Sequence, residues 1–150
     1  MRMNICEFMK VMGEKMNRVQ QLYHRWAKVQ GINYNILAVL YVSFRQDGCS
    51  QKDICNEWGI YKQTVNAVCM RLIKDGVITQ VKSSRDKREM CVSLTEKGKE
   101  IAAPIVKELL QIENNVINHM GDENARDFLN TYSKYSDLME IEFTKSVRSE

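Results

Sequence analysis

Between Ser50 and Gly76 the apolar residues keep helical spacing twice over, and the two runs are separated by one glycine. Ile54, Cys55 and Trp58 form a short first stripe; Val65, Val68, Cys69, Leu72 and Ile73 form the second, at i, i+3, i+4, i+7 and i+8. Ser50 with Asp53 three residues on resembles a capping box with a shorter acid, and Gly59 suits the left-handed position just past a helix. About three residues later a second helix is expected over Lys62–Asp75, closed by Gly76. Two short helices joined this tightly must cross steeply, and only one face of the second can be buried.

After Gly76 the period changes. Ile78 and Val81 precede a polar tip at Lys82–Lys87, and Met90, Val92 and Leu94 then alternate with Cys91 and Ser93, which predicts a β-hairpin with a charged turn. The middle third therefore reads as a winged helix-turn-helix. Residues around it are helical in pattern. A first helix carries apolar residues at 5, 8, 9, 12, 16, 19, 22, 23 and 26 and ends by Gly31. A second follows Asn33, with Ile36, Leu37, Leu40, Tyr41 and Phe44 on one face, and stops at Asp47-Gly48. Thr95 can cap a helix whose stripe is Ile101, Ile105, Leu109, Ile112 and Val116, with Pro104 predicting either a kink or a start near it. A last helix runs from about Asp122 to Thr144 with Phe128, Leu129, Tyr132, Tyr135, Met139 and Phe143 as its stripe. The expected fold class is mainly α with a small β-hairpin wing (α+β).

Charge is unevenly spread. Residues 1–49 and 50–99 each carry a net +4, and residues 100–150 carry −5. A basic front and middle suit a polyanion. The helix after Gly59 must keep Val65, Val68, Cys69 and Leu72 inward, so Gln63, Asn66, Ala67, Met70 and Lys74 face out, with Thr64 and Arg71 at the edges. Amide side chains near a helix N-terminus suit base edges in a major groove, and Ala67 allows close approach. Lys82, Arg85, Lys87 and Arg88 put four positive charges on the hairpin tip, suited to phosphates or a narrow minor groove.

Over residues 50–98 the chain resembles the MarR-type transcriptional regulators. Asp86-Lys-Arg88, followed after five residues by Leu94-Thr95-Glu-Lys-Gly98, is similar to that family's Asp-x-Arg wing and Leu-Thr-x-x-Gly sequence, and Leu72–Ile78 is similar to its helix-to-wing junction. The resemblance implies one domain over 1–150: a DNA-binding lobe at 32–98, with 1–30 and 99–150 as dimerisation helices. It implies a homodimer on a palindromic operator, most often a repressor. Lys62–Arg71 would be the recognition helix (Lys62, Gln63, Thr64, Asn66 and Arg71 its DNA-facing residues), and Arg88 the wing arginine, held by Asp86. It also implies release by a small aromatic or phenolic ligand, for which Tyr23, Trp26, Tyr34, Leu37 and Tyr41 are the candidate lining. An aromatic stripe at this spacing serves a core equally well.

Other chemistry is poorly supplied. There is no phosphate loop, no Gly-x-Ser-x-Gly and no paired-cysteine zinc spacing, so neither an enzyme, a cofactor nor a metal is expected. The five cysteines are odd in number and widely spaced, which argues against a disulfide framework; Cys55, Cys69 and Cys91 are expected as small buried hydrophobes. Cys6, near the start of the first helix, is the candidate for an alternative redox-sensing role. A winged-helix protein-interaction module is the rival of another class, and it predicts an apolar or acidic exposed helix face rather than a polar, basic one. The longest strongly apolar run, 36–44, is too short to span a bilayer, and the N-terminal residues have no signal-peptide core, so a cytoplasmic protein without a membrane partner is expected.

Overall fold

Each predicted helix forms, and most of their N-terminal ends are set by side chains that the sequence supplies locally. The computed structural model describes residues 4–84 and 86–147. In chain order these form α1 (Ile5–Val29), α2 (Tyr34–Arg45), β1 (Cys49–Ser50), α3 (Gln51–Trp58), α4 (Lys62–Lys74), β2 (Ile78–Lys82), β3 (Met90–Leu94), α5 (Glu96–Met120) and α6 (Asp122–Val147). The Asn33 side chain accepts the Ile36 N–H at 2.9 Å and starts α2. At α3 the capping box is complete. Ser50 Oγ accepts the Asp53 N–H at 3.0 Å, and Asp53 Oδ2 accepts the Ser50 N–H at 2.9 Å. Gly59 ends α3 in the left-handed region, φ 62°, where a side chain would be strained, and this turns the chain into α4.

The chain divides into two compact units, Met1–Val106 and Lys107–Glu150, the division falling within α5. In the first unit the core is built on α2. Leu37 through Ser43 are all buried, so α2 is enclosed on every side rather than on the single face that Ile36, Leu37, Leu40, Tyr41 and Phe44 would give. A helix that packs against α1, α3, α4 and the sheet has no solvent face left. Ile54, Val65, Cys69, Leu72, Ile78 and Val92 complete this core.

Three further expectations are corrected and a fourth is narrowed. The hairpin is part of a three-stranded antiparallel sheet of order β1-β3-β2, in which Cys49 pairs with Val92 and Ser50 with Cys91. A two-residue strand carries no alternation to be read from sequence. Ile73 is 40% exposed, because in the last turn of α4 the adjacent Leu72 takes the inward position. Cys55 and Cys91 are only half-buried, whereas Cys49 and Cys69 are fully enclosed. Finally, of the two alternatives at Pro104 the late start is excluded, since α5 runs from Glu96 through it. The proline removes one N–H and crowds the Glu100 carbonyl, a local loss that the rest of the helix outweighs.

In the second unit, no residue of α6 among those described is buried; Phe128, Leu129 and Phe143 are each more than 60% exposed. Phe128, Tyr132 and Tyr135 stack along one side, at 5.8 and 6.1 Å between ring centroids. No helix among the described residues is long and apolar enough to cross a membrane.

Candidate nucleic-acid interface

One threonine and one glycine fix the wing to α4. Thr95 Oγ1 accepts the Gly98 N–H at 2.9 Å and so caps α5, while donating to the carbonyl of Gly76 at 2.6 Å and approaching that of Val77 at 3.1 Å. The Thr95 N–H also donates to Val77 at 3.0 Å. The Val77 carbonyl lies so close to Gly98 that a Cβ there would sit 1.9 Å from its oxygen. Lys97 Nζ adds a bond to the Asp75 carbonyl at 2.7 Å. The Leu94–Gly98 sequence is thus a clamp that sets the root of the hairpin against the C-terminus of α4.

At the other end of the hairpin Asp86 shapes the tip. Its Oδ1 accepts the Arg88 N–H at 2.9 Å, and its carbonyl accepts the Glu89 N–H at 2.9 Å. Asp86 thereby orients Arg88 through the main chain, leaving the guanidinium exposed on the tip with Lys87. Lys82 is exposed at the end of β2; Arg85 lies outside the described residues.

On α4, Lys62, Gln63, Asn66, Ala67, Met70, Arg71 and Lys74 are exposed, and Thr64 is half-buried. The buried Val65, Cys69 and Leu72 dictate that orientation. Tyr61 at the N-cap makes no side-chain cap, so the first N–H groups of α4 stay open beside Lys62. Arg71 Nε is 3.8 Å from Asp75 Oδ2 along the helix surface.

A cleft of about 440 Å³ brings the two elements together: Lys62 and Asn66 of α4, Gln51, Lys52 and Cys55 of α3, and Arg88 of the wing line it. A second, of about 790 Å³, lies along the wing beside Lys82 and Ser84, with Asp53 and Asn56 of α3. Lys52 borders both and was not singled out from the sequence; being on the shorter helix, it has no pattern that marks it.

Of the candidate ligand-lining residues, Tyr23, Tyr34 and Tyr41 converge on the ring of Trp58, from the inner stripe of α3. Trp58 lies 5.7, 5.2 and 5.3 Å from their respective ring centroids, and Tyr34 Oη donates to the Trp58 carbonyl at 3.1 Å. His24 stacks on Tyr34 at 4.2 Å. Burial pushes the Tyr34 hydroxyl's pKa up, opposed by its hydrogen bond with Gln20. Leu37 is wholly buried and Trp26 half-buried. Cys6 is exposed in the first turn of α1, whose Asn4 cap accepts the N–H groups of Cys6 and Glu7.

A helix-turn-helix followed by a sheet-borne wing, both carrying cations about one cleft, defines a winged helix-turn-helix protein. The chain matches the model of the MarR family over residues 28–89. It is 29% identical to the MarR family regulator NMB1585 of Neisseria meningitidis, with a TM-score of 0.84 over 96% of this chain and 99% of that one. The fold is also that of BpsR of Bordetella bronchiseptica, whose DNA binding is regulated by 6-hydroxynicotinic acid (TM-score 0.61, 20% identity, 83% of this chain and 98% of that one). In sequence it is 24% identical over 123 residues to the HTH-type transcriptional regulator Hpr of Bacillus cytotoxicus, covering 82% of this chain and 64% of that protein. The chain thus spans just under two thirds of that relative's length.

Proposed function

We propose that this chain is a DNA-binding transcriptional regulator, a repressor that acts as a cytoplasmic homodimer on a palindromic operator. The observation that carries the reading is the shared cleft: the exposed polar face of α4 and the Asp86-braced wing place Lys62, Asn66 and Arg88 around one groove. Gln63, Asn66 and Arg71 on α4 meet base edges in a major groove, with Lys62 and Thr64 at its rim. Lys82, Lys87 and Arg88, with Arg85, hold the flanking backbone and minor groove. The relatives named as transcriptional regulators support it. So does the character of the α4 face, which is polar and basic where a protein-interaction module would be apolar or acidic.

Homodimerisation is supported by the apolar residues left exposed on α1 and α6, among them Met16, Val19 and Leu22 on the first and Phe128, Leu129 and Phe143 on the second. On this reading 1–150 is one functional domain, with 32–98 reading DNA and 1–30 and 99–150 holding the dimer. Release by a small aromatic or phenolic ligand is supported by the Tyr23–Tyr34–Tyr41–Trp58 ring cluster and by the ligand-regulated BpsR. Redox sensing at Cys6 has only the exposure of that thiol in its favour.

The test is Arg88→Ala in a duplex-binding titration. Loss of about ten-fold or more in affinity is expected from removing a wing cation. Unchanged affinity would refute the wing's role.

A further inference from the structure

An asparagine can read a base only if its amide is held one way round. The oxygen end accepts and the nitrogen end donates, and a half-turn about the last torsion exchanges them. Asn66, near the middle of the exposed face of α4, is held at both ends. Gln51, the first residue of α3, directs Nε2 at Asn66 Oδ1 at 3.4 Å, and Asn66 Nδ2 points to the sulfur of Met70 at 3.9 Å. A thioether only accepts, so it takes the nitrogen end; the Gln51 N–H then takes the oxygen end. Oδ1 keeps one lone pair and Nδ2 one N–H.

We propose that Gln51 is a positioning residue for base reading: it fixes the Asn66 amide so that α4 selects adenine at one position of each half-site. The proposal rests on the DNA-binding function above. Adenine presents in the major groove a donor, N6, beside an acceptor, N7, which is the complement of a free acceptor beside a free donor; guanine presents two acceptors and leaves Oδ1 unmatched. Gln51 and Asn66 also line the cleft that Lys62 and Arg88 border, so the amide pair shares one groove with both cations. Gln51 belongs to the short helix and reaches the reading face through its bond to Asn66.

The test is selection of bound duplexes from a random pool with the full chain and three variants. The native protein is expected to enrich adenine at a position where Asn66→Ala enriches no base. Gln51→Ala is expected to lower that enrichment about five-fold, the scale of losing orientation in one bidentate contact, with neighbouring positions unchanged. Gln51→Glu, whose carboxylate only accepts, draws the nitrogen end of Asn66 to itself and abolishes the adenine preference. Native enrichment in Gln51→Ala, or an even weakening at every position, would overturn the positioning role. So would a native consensus that Asn66→Ala leaves intact, while the DNA-binding reading would stand. A native protein that selects no consensus would overturn both.

Discussion

A methyl group at residue 98 has nowhere to go. The oxygen it would meet belongs to the Val77 main chain, which Thr95 holds from two sides, so relief requires moving the wing root. Gly98→Ala is therefore expected to destabilise the fold by about 2 kcal/mol or more, read by denaturant unfolding, although alanine is the better helix former. Equal or raised stability would show that the clamp is soft. The cysteines give a second test at this scale. Burial pushes the Cys69 thiol up to about 12 from an ordinary value of 9.0, and burial also raises that of Cys49. An unfolded chain loses the Cys69 proton near the ordinary value while the folded chain keeps it. Its contribution to stability is thus present at lower pH and lost as pH rises from about 9 toward about 12. Cys69→Ala is expected to flatten the fall in unfolding free energy over that range, and identical slopes would contradict it. Thiol labelling of the native protein at neutral pH should reach exposed Cys6 first and Cys49 and Cys69 last.

At the scale of elements, what the sequence made legible was what is decided locally. Ser50 and Asp53 satisfy each other across three residues, and the box they form is the one their spacing predicted. Ser50→Ala is expected to cost about 1 kcal/mol of stability. It should also loosen the start of α3, since the hydroxyl's bond from the Asp53 N–H is lost while the Asp53 carboxylate keeps the main-chain N–H of residue 50; no change in stability would mean that α3 is held by packing and that remaining bond. The alternation of Met90, Val92 and Leu94 likewise marked β3. What depended on contacts distant in sequence was not legible. All-round burial of α2 follows from its neighbours, β1 is too short to show a period, and Trp58 joins the tyrosines only because α3 folds back on α1 and α2. The candidate site was legible in its cations, whose exposure follows from the inward stripe of α4 and from the turn at Asp86. Gln51 and Lys52 were missed because what sets them apart is proximity to α4 and the wing, not any spacing along α3.

For the whole molecule, the charge division and the apolar helix surfaces have separate consequences. A net +4 in each of the first two thirds belongs with a polyanion, whereas −5 in the last third does not. On the proposed assembly the exposed apolar residues of α6 meet a second copy, so sedimentation across a dilution series is expected to show a dimer that resists dissociation, and Phe128→Asp with Phe143→Asp to shift it toward monomer. A native monomer at every concentration would contradict that assembly. The central claim is that α4 and the wing grip duplex DNA through phosphates on both sides of a reading face, in two copies. Its most direct measurement is the affinity of the full chain for its selected duplex as salt is raised. The account predicts that log affinity falls linearly with log salt, with a slope of about −6 or steeper for a dimer making that many phosphate contacts, and that Arg88→Ala makes the slope shallower. A flat salt dependence, or no binding to any duplex in dilute buffer, would contradict it.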